Sequence, residues 1–497
     1  MKKMNLLAMS LVSAAALSFS SCSNNDDLTG GGTQSQADGV YMTLKISGAT
    51  SHGTRTSVTD GKTTTDNGSV AESTITEGMM YIYDGPTCVF RKVITKDMFE
   101  TAPTQTTSGV TKPIKVAVTG AITTGKKYDV YFLANRTNVD NPIAATSIFT
   151  STTGGADFAT DNQFVMFNQN DGTKAAAHSK VEFTDAAKSD KSPAAADEIK
   201  LDRVVARIDN PSFDESVKTV TPAENTTTSI NVADVVAGIS YEGFAVSNLN
   251  NNSYVMQNWD TNFKTLNVKW GEPKYSLPKS DYGTLYNAAG LVNFSSKENP
   301  VSWKYAFENT TTDVNDATAV YFKVKVALTE TANNASDFKD GTFYRYDGRL
   351  YTSIQAIYND AATGAISNPF TETSSITPAD VVAKISDADG KLTTDEAKLA
   401  QFRQDYKIEV YRQGVMYYRW AISDNAYKPF IASETTHTYS VLRNSIYRLK
   451  VTKVSEIGKD VPNGPEPDDP VKNPNFYMNV TVSINPWVLN AQPIELK

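Results

Sequence analysis

Phe476-Tyr477-Met478-Asn479-Val480-Thr481-Val482-Ser483-Ile484 carries the alternation that decides the fold. Phe476, Met478, Val480, Val482 and Ile484 fall on one face of an extended chain. Tyr477, Asn479, Thr481 and Ser483 fall on the other, the period-2 pattern of a half-buried β-strand. The lead into it, Gly458 to Pro474, holds Pro462, Gly464, Pro465, Pro467, Pro470 and Pro474 with Asp468 and Asp469. It reads as an extended tether that does not pack. A strand on a long lead can pair with its own domain or with a neighbour's sheet. One other stretch mirrors it, Val40-Tyr41-Met42-Thr43-Leu44-Lys45-Ile46-Ser47, with Val40, Met42, Leu44 and Ile46 on one face.

Working outward, the rest of the chain has the same character. Tyr (24) and Phe (21) are plentiful, Ser and Thr abundant and helical periodicity rare, so the fold class is all-β. A chain of 497 residues holds two to four domains on the usual size prior. Short strands follow one another through Met79–Tyr83, Val89–Ile94, Ile114–Val118, Tyr128–Leu133 and Phe164–Phe167. Ile199–Arg203 alternates and then shifts phase at Val204-Val205, which predicts a bulge or a turned edge. Tyr241–Val246 reads as the last strand of the first half, and the Asn-rich stretch from Asn248 to Asn262 as a domain boundary, giving 39–260 and 261–457 as domains and 458–497 as tether and end strand. In the second half Val320–Leu328 alternates, Asp347-Gly348 predicts a two-residue hairpin, and Gln413-Gly414 predicts another between Ile408–Arg412 and Val415–Trp420. Two short helices interrupt the sheets, one capped at Thr377 and running to about Ile385, the other starting at Thr394 or Asp395 and running to about Arg403.

The first 21 residues read as an export signal, with Lys2 and Lys3 ahead of a short apolar run. Ser20-Ser21-Cys22 resembles the lipobox of bacterial lipoproteins, with Phe19 where Leu is usual, and implies Cys22 as the lipidated first residue. Ordinary signal-peptidase cleavage near Ser21 is the alternative. Ser23-Asn24-Asn25-Asp26-Asp27 resembles the acidic tag for surface export in Bacteroidetes lipoproteins. Residues 22–38, with Gly30-Gly31-Gly32, form a flexible linker. Gly48 to Asn67, which includes His52-Gly53-Thr54-Arg55-Thr56, is a polar loop open to proteases. Cys88 is a small apolar strand residue with no redox role.

Charge and motif content exclude several functions. The net charge is −8, against a nucleic-acid or anionic-membrane surface. His52, His178 and His437 lie far apart without metal spacing, and there is no nucleophile elbow, phosphate-binding loop or dinucleotide fingerprint. An enzyme is not expected, and no cofactor. Asp387, Asp389 and Glu396 occupy ligand positions of a calcium loop centred on Gly390, but Ile385 stands where the first carboxylate belongs. A capped connection between the two helices is the favoured reading, with a weak cation site as the alternative.

The order of these features resembles the Bacteroidetes fimbrillins, subunits of type V pili. Tyr128–Asn135 and Arg203-Val204-Val205-Ala206-Arg207-Ile208 resemble their N-terminal half. Tyr439–Tyr447, the segment ending in Tyr417-Tyr418, and Ile484-Asn485-Pro486-Trp487 resemble the C-terminal domain of the minor-fimbrium shaft subunit branch. The resemblance implies two transthyretin-like β-sandwich domains with minor helical insertions. It also implies a mechanism: the precursor's own strand, Val40 to Ser47, fills a groove; a protease cuts at Arg55-Thr56; and a neighbour's C-terminal strand replaces it. Five apolar donor side chains at about 1.5–3 kcal/mol each give on the order of 7 to 15 kcal/mol before ordering costs. The implied partners are copies of the chain, fimbrial anchor and tip subunits, a processing protease, and the outer membrane through a lipid anchor before maturation. The implied location is the outer-membrane surface and then the fimbrium. The alternatives are a monomeric surface glycan-binding lipoprotein using Trp259, Trp270 or Trp303 as a stacking platform, or a tip adhesin of the same family.

Overall fold

The computed structural model describes residues 39–48, 69–100, 113–144, 146–170, 179–214, 216–221, 231–258, 301–311, 314, 317–370, 376–422 and 439–461, together with the backbone of 66–67 and 478–488. Strands dominate, and the longest described helix, Glu396–Tyr406, has 11 residues. The chain is all-β with minor helical insertions.

The first core is a sandwich. On one side Val40–Leu44 lies between Ile114–Val118, antiparallel, and Ala194–Ala195, parallel. The facing sheet runs in the order Ile46–Gly48, Ile199–Arg203, Met166–Asn168, Lys127–Ala134, Gly78–Asp84 and Thr87–Ile94. Alternation sets the faces: Ile114, Val116 and Val118 are buried while Lys115 and Ala117 point to solvent. Gly78–Tyr83 is buried at every position, as befits a central strand covered on both faces. The Cβ of any larger residue at Gly78 would lie 2.6 Å from the Leu133 carbonyl oxygen, so the neighbouring strand itself requires glycine there.

The phase shift at Val204-Val205 proves to be a crossing. Ile199–Arg203 belongs to the first core, Val204 and Val205 are fully buried, and Ala206–Asp209 joins a different sheet. There it pairs antiparallel with Trp303–Ala306 and parallel with Ser445–Val454. The second core packs this sheet against another made of Val236–Ser247, Ala319–Leu328 and Val415–Ala421. Tyr241–Val246 therefore closes the second core, with Phe244 opposite Phe322. The cores part between Val205 and Ala206 instead of near residue 260. The Asn-rich run is held in place by its amides: Asn248 Nδ2 donates to the Ala317 carbonyl at 3.0 Å and Asn250 Nδ2 to that of Glu308 at 3.1 Å. Composition marked it as a boundary, but hydrogen bonding makes it part of the packed structure.

A third, smaller core belongs to an insertion between the strands Ala319–Leu328 and Val415–Ala421. It combines a three-stranded sheet of Phe343–Tyr346, Arg349–Tyr351 and Glu409–Tyr411 with helices Ile354–Thr363, Pro378–Lys384 and Glu396–Tyr406. Asp347 and Gly348 both take positive φ, as the hairpin required. Thr377 and Asp380 complete a capping box, and Asp395 caps the following helix. The hairpin expected at Gln413-Gly414 does not form. The turn is present, but Glu409–Tyr411 pairs with Phe343–Tyr346 and Val415–Ala421 pairs with Ala319–Leu328. Gly414 makes this divergence possible, since its φ is +78° and a Cβ there would fall 2.2 Å from the Val326 carbonyl oxygen.

Candidate assembly site

The two mirrored stretches of the sequence pair in different sheets. Val40, Met42, Leu44 and Ile46 are all buried in the first core, at 6% exposure or less. Their strand pairs with Ile114–Val118 in five register positions, from Val40 opposite Val118 to Leu44 opposite Ile114. On its other side the Thr43 carbonyl accepts from the Ala196 amide at 3.1 Å and that of Lys45 from the Ile199 amide at 2.9 Å. At Lys45 the segment passes to the opposite sheet, where Ile46–Gly48 pairs parallel with Ile199–Leu201. A single stretch thus sits between two strands in one layer of the sandwich and forms the edge strand of the other.

The C-terminal strand, Met478–Val488, runs antiparallel to Ser445–Val454 in the second core, with Ile484 opposite Tyr447 and Val480 opposite Val451. Its end pairs parallel with Asp66–Asn67. Met478, Val480, Val482 and Ile484 lie within this strand. Phe476, Cys22, Arg55 and Thr56 lie outside the described residues.

The first residues of the expected tether are packed, which corrects the sequence reading. Gly458, Asp460 and Val461 are buried. A Cβ on Gly458 would meet the Tyr417 carbonyl oxygen at 2.5 Å, so this glycine marks close backbone approach where the sequence suggested freedom. Lys459 forms a reciprocal pair with Tyr417, N to O distances 2.9 and 2.7 Å.

The cation-site candidates are otherwise engaged. Asp387 Oδ1 accepts from the amides of Asp389 and Lys391, both at 2.9 Å, tying the loop to itself. Glu396 is paired with Arg412. No group of three or more potential ligands gathers among the described residues. Of the three tryptophans considered for stacking, Trp303 is described, and the Arg207 guanidinium lies over its ring at 5.0 Å.

Polar residues to which the sequence analysis gave no bridging role join the two cores. Glu72 closes a capping box with Ser69 and accepts from Arg207 Nη1 at 3.0 Å and from Tyr305 Oη at 3.0 Å. Burial alone would raise its carboxyl; the Ser69 amide and the Arg207 guanidinium outweigh that and hold it below its ordinary value of 4.5. Arg203 donates to the Glu72 carbonyl at 2.9 Å and to Asn444 Oδ1 at 3.2 Å, and Asn444 in turn donates to Asp202. Arg443 pairs with Glu308 at 2.8 Å and reaches the carbonyls of Tyr254 and Val255. The Ser69-x-x-Glu72 spacing was a local signal for Glu72, and Arg203, Arg207, Arg443 and Asn444 lie in the two resemblance motifs.

Residues 409–493 match the family model described as major fimbrial subunit protein type IV, fimbrillin, C-terminal. No curated protein matches the sequence. Solved structures similar to this chain include a fimbrilin from Porphyromonas gingivalis W83, 17% identical over 91% of this chain and 99% of that one, with a TM-score of 0.40. A fimbrial assembly protein from Parabacteroides distasonis ATCC 8503 is 11% identical over 84% of this chain and 93% of that one, with a TM-score of 0.33. The tip fimbrial protein of Porphyromonas gingivalis, C-terminally truncated, is 11% identical over 90% and 100%, with a TM-score of 0.32. The matched family is one of fimbrial subunits, and residues 409–493 of this chain are similar to its C-terminal part.

Proposed function

We propose that the chain is a shaft subunit of a surface fimbria, made as an outer-membrane lipoprotein precursor anchored at Cys22 and polymerised by donor-strand exchange. Cleavage at Arg55-Thr56 frees residues 39–55, and Phe476, Met478, Val480, Val482 and Ile484 of a neighbouring copy fill the vacated place. The observation that carries this reading is the burial of Val40, Met42, Leu44 and Ile46 in a segment that pairs with both layers of the first sandwich. At about 1.5–3 kcal/mol each, the four side chains contribute roughly 6–12 kcal/mol. That is the size of a whole domain's stability, about 5–15 kcal/mol. Simple departure would unfold the first core, so the strand must be replaced as it leaves. A C-terminal strand of matching alternation is suited to do so by β-augmentation. Processing protease, anchor and tip subunits complete the set of partners.

Trp303, the described member of the platform in the glycan-binding alternative, is 40% exposed and has the Arg207 guanidinium over one ring face. The test is deletion of Asn475 to Lys497 together with a separate Arg55→Ala variant. The deletion should abolish polymer ladders while the folded monomer persists, and Arg55→Ala should leave an unprocessed, membrane-bound precursor. Unchanged polymer in the deletion sinks the shaft-subunit reading. Mature fibres with residues 40–47 still attached would refute the exchange.

A further inference from the structure

Between the last strand of the second core, Ser445–Val454, and the C-terminal arm, the chain is gripped carbonyl by carbonyl. Tyr418 Oη donates to the Glu456 carbonyl at 2.7 Å, Arg345 Nη1 to that of Ile457 at 3.2 Å, and Tyr411 Oη to that of Gly458 at 2.8 Å. The Tyr417 amide then donates to the Lys459 carbonyl at 2.7 Å. The next residue, Asp460, is held by its side chain: its carboxylate pairs with Arg403 and accepts from the Val410 amide at 2.8 Å. Arg403 is itself oriented by a second bond, to the Val410 carbonyl at 2.9 Å. Arg403 and Asp460 are 4% and 5% exposed, Tyr411 is fully buried, and Ile457 fills the second core.

The donors come from two bodies. Tyr417 and Tyr418 belong to the second core's sheet, whereas Arg345 and Arg403 belong to the inserted unit with its own core; Tyr411 lies on a strand of the insertion and buries its ring in the second core. The segment is therefore wedged where the insertion meets the sandwich. Five successive residues with a designated partner each are more than a chain needs merely to leave a sheet, where water satisfies exposed carbonyls. A buried ion pair is also poor evidence of stabilisation for its own sake, because desolvation offsets most of the attraction. What such a pair does supply is a fixed position.

We propose that residues 456–460, clamped by Arg345, Arg403, Tyr411, Tyr417 and Tyr418, are the anchor through which a load on the C-terminal arm, applied by a second copy of this chain, enters the subunit. The inference rests on the donor-strand reading and assigns the inserted unit a role in it: holding the root of the arm. Without the anchor, the lead would begin at Val454 and gain residues 455–461, on the order of 25 Å of extended chain. Pulling would then begin to peel Ser445–Val454 from its sheet. With the anchor, the load meets bonds spread over two cores.

The experiment compares the full chain with Tyr411→Phe/Tyr418→Phe, which removes two hydroxyl donors at nearly constant volume, and with Asp460→Asn, which keeps an acceptor for the Val410 amide. Hydrogen exchange of the monomers reads the anchor directly. The Lys459 amide should exchange at least about tenfold faster in each variant, with strand Ser445–Val454 unchanged. Stretching assembled fibres reads the load path. Variant fibres should yield an extension of on the order of 25 Å per subunit at forces the unmodified fibre withstands. Fibres of a variant with a loosened Lys459 that extend and break as the unmodified ones do overturn the anchor while leaving strand exchange intact. An unmodified chain that is processed but never polymerises overturns the donor-strand reading and the anchor with it. A Lys459 amide that exchanges freely in the unmodified monomer overturns the anchor alone.

Discussion

Glu72 condenses the electrostatics of the molecule into one side chain. It is 2% exposed, closes its own helix cap and receives Arg207 and Tyr305 from the strands of the second core. Its folded-state pKa is lowered from 4.5, so its contribution to stability is fully present above that value and is lost as pH falls through the folded one. Thermal melts between pH 7 and pH 3 should show the Glu72 contribution lost on the acid side of the ordinary glutamate range. Glu72→Gln should flatten part of that loss. Gly458 teaches the opposite kind of lesson. In a stretch crowded with prolines it read as the start of a free tether, yet the Tyr417 carbonyl sits where its Cβ would be. Glycine is used both for freedom and for close approach, and local sequence does not distinguish the two.

Strand Val40–Leu44 was legible down to its face, because an alternating strand covered on one side exposes its period directly in the sequence. All four predicted inward residues are buried. Leu44→Ala should destabilise the first core by about 2–5 kcal/mol, measured as a shift in denaturant midpoint. The capped helices at Thr377 and Asp395 were legible for a similar reason: a cap is a local contract between neighbours. Helix Ile354–Thr363 was not read, although Ser353 caps it and Gly364 ends it with φ +74°. The pairing around Gln413-Gly414 was misread because turn chemistry fixes a change of direction without fixing the partner of each strand. Those partners are Phe343–Tyr346 on one side and Ala319–Leu328 on the other, distant in sequence. The same distance hid Arg403, Asp460 and the Tyr417–Lys459 pair, none of which belongs to a short motif.

At the scale of the whole molecule, the resemblance motifs gain a structural role. Arg203 through Ile208 carries the crossing from one core to the other, and the turn at Arg443-Asn444 locks it. Val255, Phe307 and Ile446, drawn from the later part of the chain, pack in the first core. Arg443→Met would leave Glu308 buried without its cation, at a cost of about 3–5 kcal/mol. Calorimetry should record that cost as a lowered unfolding temperature, since Arg443 would no longer tie Glu308 to the Ser253–Val255 segment.

The parallel pairing of Ala206–Asp209 with Ser445–Val454 also orders events in time. A chain that emerges N-terminus first can assemble most of the first sandwich once Val205 is out, because the strands of both its sheets precede that point, with Val255, Phe307 and Ile446 added later. Ala206–Asp209 must wait until Ile446 and Tyr447 emerge before its parallel neighbour exists. Such long-separation pairing is slow to form and exposes unpaired strand edges meanwhile. Synthesis would thus deliver a half-finished chain whose strand Val40–Leu44 is already seated, and the second core, whose sheet carries the C-terminal strand, would close last.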